Sequence, residues 1–255
     1  MSAPTEPGQT PGQPVNPPPD HRVETTLTDS RQRRLDRWRR PLVTPWDRLR
    51  AWMNMLFIDH GILRLFYVNA HQISLQARRS AQPFPHHIRR FARAGGRTVI
   101  SLRGGQTFGS LPLEKEACAA AGLTFTNFVL RSRSLPSVED LRAAKALIET
   151  MEKPVLFHCK SGADRAGFFA VLYMVWGEGL SVAEAKAQLS LRYLHIKQGK
   201  TGILDAFFDQ YMTETAERIP LMEWIETRYD RDAMRARFKP AAWGTLLTEG
   251  LLRRE

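Results

Sequence analysis

The sequence predicts an α/β domain with a central, mainly parallel sheet of four to five strands, flanked by helices, and with helical extensions at both ends. The main observation is that short, β-branched apolar stretches alternate with longer stretches of helical period, as expected for successive βαβ units. The composition agrees, because 43% hydrophobic residues over 255 residues is ordinary for a soluble globular chain.

The first half of the domain reads as three strands and two helices. A short strand at "QISLQA" (72–77) precedes a helix at "PFPHHIRRFARAGG" (83–96), which glycine closes. "TVISL" (98–102) then reads as a buried strand followed by the turn "RGG". "PLEKEACAAAG" (112–122) is the second helix, and "LTFTNFVL" (123–130) is the third strand.

The second half begins with a helix over 137–153, for which Ser137 is the expected N-cap and Asp140 the residue three positions on. "PVLFH" (154–158) is a fourth strand, and a strongly apolar helix follows over 163–179. Another capping box, Ser181 with Glu184, opens the next helix, and "GILDAFFDQYMTETAE" (202–217) completes the core.

Four segments are expected along the chain. Residues 1–28 form a disordered tail, since the first 20 residues hold seven of the sixteen prolines and cannot bury a core. A basic amphipathic helical segment (29–68) leads into the α/β domain (69–216), and a C-terminal helical extension (217–255) follows.

The charge is strongly basic, with a net charge of +11 and a pI near 10.2. Residues 31–64 contain nine arginines and three aspartates, interleaved with tryptophans such as Trp38, Trp46 and Trp52. Basic residues with tryptophan and leucine are what a helix at an anionic membrane surface needs. A helix packed on the α/β domain is the favoured interpretation, because Phe57, Ile62, Leu65 and Phe66 are expected to be core contacts. No specific nucleic-acid binding is expected, because no groove-reading or stacking motif accompanies the arginines.

A reducing, cytoplasmic compartment is expected, peripheral at the inner membrane face if 31–64 binds lipid. Only two cysteines are present, and the N-terminus lacks a signal-peptide pattern. The best candidate for a membrane span, 51–68, carries Asp59, His60 and Arg64 and is rejected. The histidines show no metal-ligand spacing, so neither a metal nor a cofactor is expected.

The segment "PVLFHCKSGADRAGFF" (154–169) holds the clearest chemistry. Between its strand and its helix, backbone amides and the helix N-terminus would form an anion-binding loop, which favours the thiolate of Cys159. Gly162 lets the backbone approach the ligand without a Cβ in the way, and Arg165 offers a planar fork of donors to phosphate oxygens. The expected reaction is in-line attack by Cys159 on a phosphate ester through a cysteinyl-phosphate.

The chain here resembles the cysteine-dependent protein tyrosine and dual-specificity phosphatases, whose pattern is His-Cys, five residues, then Arg. His158, Cys159 and Arg165 match it, and weaker similarity to the bacterial dual-specificity-like group runs over about 70–212, through "ARRSAQPFP", "TVISLRGG" and "SLRYLHIKQGKTGILDAFF". The resemblance implies a cofactor-free phosphoric monoester hydrolase of the cysteine-phosphatase fold. In it, His158 would position and help ionise Cys159, and Arg165 would bind the phosphate and the transition state.

Two departures from the family bear on mechanism. Ala166 stands where relatives place a Ser or Thr hydroxyl that assists the departing thiolate, so turnover would be slow or would use another donor such as Ser161. The upstream general-acid aspartate is also missing, because Glu139 and Asp140 belong to a helix start. Asp164, inside the loop, is the candidate acid by similarity to myotubularin-like and Sac-like lipid phosphatases.

The remaining candidate ligands line the loop and its rim. His158, Lys160, Ser161, Gly162 and Ala163 are expected to bind substrate, and Arg103 is expected at the edge of the cleft. Other rim cations are Arg131, Arg133, Lys197 and Lys200. A lysine in the loop is typical of phosphoinositide phosphatases, which favours a phosphorylated lipid, with a phosphoprotein as the other substrate class.

Two other functions fit parts of the pattern. Ala166 and the missing acid would also suit a lapsed phosphatase that only binds phosphate, and a rhodanese-like sulfur transferase also uses a cysteine loop. Retention of both Cys159 and Arg165, with this glycine spacing, favours phosphate hydrolysis. The other cysteine, Cys118, is expected in the core; as a disulfide partner of Cys159 it would instead be regulatory.

Overall fold

The central sheet has five strands: β1 (His71–Ser74), β2 (Ala77–Ser80), β3 (Thr98–Ser101), β4 (Thr124–Asn127) and β5 (Val155–His158). Their spatial order is β1-β2-β5-β3-β4, so the strand that precedes the cysteine lies in the middle. β1 pairs antiparallel with β2, and the other three pairs are parallel. The predicted mainly parallel α/β sheet is confirmed.

The structure is a computed structural model, and it describes residues 38, 40–104 and 108–241. All of these fall within one compact unit, Trp38–Glu255. The predicted tail (1–28), the start of the basic segment and the last residues of the C-terminal extension lie outside the described residues.

Eleven helices are described, several of them short. They are α1 (Pro45–Met53), a π-helical turn (Asn54–Ile58), α2 (Gly61–Phe66), α3 (Pro85–Arg93), α4 (Ser110–Ala120), α5 (Val138–Thr150), α6 (Asp164–Glu178), α7 (Val182–Ala185), α8 (Ile203–Thr215), α9 (Leu221–Thr227) and α10 (Arg231–Arg237), with 3₁₀ turns at Lys186–Gln188, Leu191–Tyr193 and Lys200–Gly202. Both predicted capping boxes, Ser137 with Asp140 and Ser181 with Glu184, are confirmed. Across these described helices, none has the length and apolar character required to cross a bilayer.

Apolar side chains cover both faces of the middle of the sheet, which is why β3 and β5 are mainly apolar in sequence. Val155 and Phe157 of β5 belong to the larger core with α5, α6 and α8, whereas Leu156 faces α3 and α4. Cys118 lies in the α3–α4 core and is fully buried, as predicted. β5 is therefore packed on both faces, which fixes the position of its carboxyl end.

One predicted strand is wrong. Residues 72–77 do not form a single strand but the first part of a hairpin, in which β1 and β2 are joined at Leu75 and Gln76. β2 pairs in parallel with β5, Ser80 lying opposite His158. The turn lacks the Gly, Asn or Asp residues that mark most two-residue hairpins, so the sequence contains no local signal for it.

The basic N-terminal segment forms three short pieces in its described part. Pro45 occupies the first turn of α1 and Thr44 caps it, with Asp47 completing the capping box. The chain then passes through the π-helical turn and a left-handed residue, His60 (φ 54°), into α2. One side of this segment packs on Phe84 and Leu113 through buried residues, namely Trp38, Ala51 and Met55.

The C-terminal extension joins the main core. Trp224 of α9 is fully buried, lies 5.4 Å from the Phe207 ring, and donates from Nε1 to Glu214 at 2.6 Å. Tyr229 packs on the same cluster and donates to the Pro136 carbonyl at 2.8 Å. The described part of the extension therefore stabilises the sheet's larger core.

Candidate active site

Residues 159–163 form the loop between β5 and α6, at the carboxyl edge of the sheet where ligands of α/β proteins usually bind. Cys159 follows β5 directly and is 1% exposed, within the core cluster that includes Ala166 and Phe168. Lys160 and Arg165 are half-buried. The cysteine thus lies at the base of the loop, with both cations less buried than it is.

A glycine is required at position 162 because the backbone at the end of β2 packs closely against the loop. Its φ is +73°, and a Cβ there would lie 2.5 Å from the Ala81 nitrogen and 2.7 Å from the Ser80 carbonyl carbon. Those atoms are backbone, so they cannot move aside cheaply. The close approach seen at Gly162 is therefore to the backbone at Ser80 and Ala81, whereas the predicted approach to a ligand stays a prediction.

Arg79, a buried arginine on β2, donates hydrogen bonds to carbonyls of the loop. Arg79 Nη2 donates to the carbonyls of Gly162 at 2.8 Å and Ala163 at 2.9 Å. Its Nη1 donates to the Gln188 carbonyl at 2.6 Å and to Gln188 Oε1 at 3.0 Å. Burial lowers the pKa of Arg79 to about 10, against the raising effects of Cys159, Tyr193 and Asp164, so it remains charged at neutral pH.

The hydrogen bonds from Arg79 fix the direction of the loop amides. In a planar trans peptide the N–H points opposite to the carbonyl of the same group. With the carbonyls of Gly162 and Ala163 turned toward Arg79, the amides of Ala163 and Asp164 point away from it. The 15-residue helix α6 begins at the same place, and its N-terminus adds partial positive charge. The loop can therefore stabilise an oxyanion.

His158 holds the loop from the opposite face of the sheet. Its Nε2 contacts Oε1 of Glu114 on α4, and its Nδ1 lies 3.4 Å from the Cys159 carbonyl oxygen. The His158 side chain is fully buried, so it does not reach a substrate directly. The expected role in positioning Cys159 fits this geometry, whereas the expected substrate contact does not.

Arg103 is committed to a buried ion pair. Its Nη1 and Nη2 bind Asp59 at 2.7 and 2.6 Å, and Nη1 also donates to Gln82 Oε1 at 2.9 Å. Burial raises the pKa of Asp59, but the hydrogen bonds and charges of Arg103 and Arg64 outweigh it and hold that pKa below its ordinary value. The prediction that Arg103 binds substrate is therefore not supported, because its terminal nitrogens already have partners.

Asp164 and Asp205 enclose a buried histidine. His195 donates from Nδ1 to Asp164 at 2.7 Å and from Nε2 to Asp205 at 2.6 Å. Burial alone would lower the pKa of His195, but the two aspartates raise it to about 9, so the ring is an imidazolium at neutral pH. Asp164 thus accepts a hydrogen bond from a cation, whereas a general acid must donate a proton, so this geometry favours a structural role for it.

Comparison with known proteins gives a family. Residues 114–177 match the sequence profile described as "Tyrosine phosphatase family", a span that runs from Glu114 on α4 through Cys159 and Arg165 into α6. The chain is a phosphatase, similar to the tyrosine phosphatase family over these residues. The predicted family and enzyme class are thereby confirmed, and the match covers the loop described above.

Three solved structures are similar to the phosphatase, each at less than 25% sequence identity. TpbA of P. aeruginosa is 19% identical, with 66% of this chain and 89% of TpbA covered and a TM-score of 0.46. A putative phosphatase from Shewanella putrefaciens is 24% identical, with 60% and 97% covered and a TM-score of 0.45. Human DUSP28 is 15% identical, with 57% and 95% covered and a TM-score of 0.43. No curated protein matches the chain.

The phosphatase loop brings together most of the residues predicted from sequence. Cys159, Lys160, Ser161, Gly162 and Ala163 form it, and Arg165 lies in the first turn of α6. Ala166 is fully buried beneath the loop, where its methyl group offers no hydroxyl to the sulfur. Arg103 and Asp164 flank the site in ion pairs of their own.

Several residues that shape the phosphatase loop were missed by sequence reasoning. Arg79 clamps the loop carbonyls, Asn69 Nδ2 donates to the Ser161 carbonyl at 2.9 Å, and Glu114 holds His158. His195 carried no metal-ligand spacing and had no assigned role, although it pairs with the loop's aspartate. None of these has a local pattern, because each acts on residues distant in sequence.

Proposed function

We propose that the phosphatase hydrolyses phosphate monoesters through a covalent cysteinyl-phosphate at Cys159. The observation that carries this proposal is the position of Cys159 at the base of a loop whose carbonyls Arg79 turns outward, at the N-terminus of α6. Anionic phosphate oxygens would be bound by the opposing amides and by the Arg165 fork.

In the first step the Cys159 sulfur attacks phosphorus opposite the ester oxygen. The S–P bond forms while the P–O bond to the leaving group breaks, and the alcohol or phenol leaves with a proton from a general acid. Water then attacks phosphorus and gives a proton back to the general acid, the P–S bond breaks, and inorganic phosphate departs as the thiolate returns. With Ala166 beneath the loop, Ser161 is the candidate hydroxyl to support the departing thiolate.

The substrate in this proposal is a phosphorylated lipid or a phosphoprotein carrying phosphotyrosine, phosphoserine or phosphothreonine. Lys160 at the loop and the basic rim favour the lipid, because lipid headgroups with several phosphates need more than one cation. The enzyme works in the cytoplasm, at the inner face of the membrane, where a free thiol at Cys159 stays reduced.

The test of the chemistry is turnover of p-nitrophenyl phosphate with an acid-quench assay for phosphorylated protein. We expect Cys159→Ser to abolish both release and trapping. Cys118→Ala is the matched control, because burial and then the charge of Glu114 raise the pKa of Cys118 well above its ordinary value, which leaves that thiol inert. Undiminished release from Cys159→Ser, or phosphate binding without any release, would reject catalysis at Cys159.

The same assay tests the acid. On an alkyl phosphate, where the leaving group needs a proton, Asp164→Asn should lose activity if Asp164 is the acid. Equal rates for wild type and Asp164→Asn would assign Asp164 to the ion pair with His195 alone. Phosphotyrosine peptides, phosphothreonine peptides and phosphoinositides, compared on the wild type, then separate the two substrate classes.

A further inference from the structure

The N-terminal helices keep an apolar face that their packing leaves uncovered. While Ala51 and Met55 are buried, large side chains recur every three or four residues on the outer side of α1 and the π-helical turn. These exposed side chains are Trp46 (58%), Leu49 (47%), Met53 (49%) and Phe57 (54%). An amphipathic helix needs one apolar face to fold, so the second face points to a second contact.

The apolar face continues along α2 toward the catalytic loop. Its exposed side chains are Ile62 (44%), Leu63 (62%), Leu65 (54%) and Phe66 (87%). Only three residues beyond Phe66, Asn69 donates to the carbonyls of Ser161 at 2.9 Å and Tyr193 at 3.0 Å. The face therefore ends beside the catalytic loop.

Exposed apolar residues also stand on the other sides of the loop. Leu191 (72%) and Leu194 (36%) flank Tyr193, whose carbonyl shares Asn69 with Ser161. Val129 (53%) follows β4 and packs against Gly104, which follows β3, at the same carboxyl edge of the sheet. Three separate segments thus place apolar side chains around the opening.

The exposed charges on these segments are mostly basic. Among the described residues of 40–67, 129–133 and 190–197, the basic residues with exposed side chains are Arg40, Arg48, Arg50, Arg131, Arg133, Arg192 and Lys197, of which Arg48 pairs with Glu116 of α4 at 2.8 Å. The two acidic residues there are Asp47, which caps α1, and Asp59, which is buried. Apolar side chains among cations are complementary to the surface of an anionic bilayer.

We propose that this edge of the phosphatase, defined by residues 46–67, 129–131 and 191–194, inserts into the interface of an anionic membrane, and that the substrate is a phosphomonoester on a lipid headgroup. The inference rests on the proposed function, since it assigns the substrate of the Cys159 loop. The loop opening would face the bilayer, so a headgroup phosphate could reach Cys159 without the lipid leaving the membrane.

The experiment uses vesicles of phosphatidylcholine, with and without phosphatidylserine, in a flotation assay. The full chain should float with phosphatidylserine vesicles and much less with phosphatidylcholine alone. Leu63→Ser and Leu191→Ser, on two different segments, should each weaken binding about tenfold, the scale of one buried leucine side chain. Leu75→Ser is the matched control, because Leu75 is 88% exposed but lies in the β1–β2 turn at the opposite end of the sheet.

Turnover gives the second readout. Phosphatidic acid in the vesicles is compared with p-nitrophenyl phosphate in solution, and the ratio of the two rates should fall about tenfold in Leu63→Ser and Leu191→Ser. Leu75→Ser should keep the wild-type ratio. Circular dichroism melting confirms that each variant is folded.

Other results would overturn the inference. Failure to bind anionic vesicles, with turnover of p-nitrophenyl phosphate intact, rejects the membrane face and leaves the phosphatase proposal standing. A dimer in analytical ultracentrifugation that Leu63→Ser dissociates would assign the face to a second copy of the chain. If the wild type binds vesicles but hydrolyses neither ester, the phosphatase proposal fails and only the membrane face survives.

Discussion

Arg79 offers the sharpest test of how the catalytic loop is built. The perturbation is Arg79→Lys, which keeps the charge but replaces a planar fork by a single ammonium group. The guanidinium makes four hydrogen bonds, two to the loop and two to Gln188, and it is fully buried. An ammonium at one point cannot serve both pairs, so the loop or Gln188 loses its donor.

The magnitude follows from the loop carbonyls of Gly162 and Ala163. A hydrogen bond to a charged donor is worth about 1.5–3 kcal/mol, so losing both destabilises the protein by about 3–6 kcal/mol. The effect on catalysis is separate, because a released Gly162 carbonyl lets the Ala163 amide rotate away from the phosphate, while the Gly167 amide still holds the Ala163 carbonyl at 3.0 Å. Misplacing such donors reduces the rate by roughly a hundredfold.

The assay measures kcat/KM for p-nitrophenyl phosphate and the affinity for vanadate, at a temperature where urea titration shows both proteins folded. We expect Arg79→Lys to lower both together. Gln188→Ala is the control: it removes the 3.0 Å contact to Nη1 but leaves the loop carbonyls bonded, so it should cost stability with little loss of rate. A folded Arg79→Lys protein with a rate within threefold of wild type would refute the clamp.

Two further predictions concern the loop's surroundings. The pKa of His195 is raised to about 9 from an ordinary 6.5, so its ion pairs stabilise the fold by about 3 kcal/mol below pH 6.5, and this stabilisation is lost as pH rises through 9. Urea unfolding across pH 6–10 should show the decline in the free energy of unfolding, and His195→Gln should flatten that pH dependence. Gly162→Ala should lower the free energy of unfolding by several kcal/mol and abolish most of the activity, because its Cβ meets backbone atoms. Gly95→Ala is the control: its φ is +86° but nothing lies within 4 Å, so it should lower the free energy of unfolding by only about 1–2 kcal/mol and leave the rate unchanged. Equal losses from the two glycine variants would contradict the close packing of β2 on the loop.

The elements that sequence could predict are those with local causes. Ser137 and Ser181 cap their helices through residues three positions on, and apolar strands alternate with helices along the chain. The β1–β2 hairpin was missed because Leu75 and Gln76 adopt a tight turn without a turn residue. The segment before the domain (29–68) was predicted as basic, amphipathic and helical, and the sequence carries no signal for the π-helical turn or the left-handed residue at His60.

The catalytic loop shows the same division. Cys159, Gly162 and Arg165 act within one loop and one helix turn, so their spacing alone indicated the chemistry. The residues that hold the loop act from far away: Arg79 is 83 positions from Gly162, Asn69 is 92 from Ser161, and His195 is 31 from Asp164. A single sequence carries no signal that pairs such residues, so Arg103 was assigned to substrate instead of to Asp59.

The two polar networks around the loop explain where substrate selection must arise. On one face of the sheet, Arg79 fixes the carbonyls of the loop, and on the other, Glu114 and Gln82 tie His158 to Arg103 and Asp59. A loop held on both faces has a fixed geometry for phosphate, which every phosphomonoester shares. Discrimination between substrates therefore falls to the opening, where the leaving group lies. Because apolar side chains and cations of three segments form that opening, altering Leu63 or Leu191 should change which ester is hydrolysed, whereas altering Arg79 should impair all esters alike.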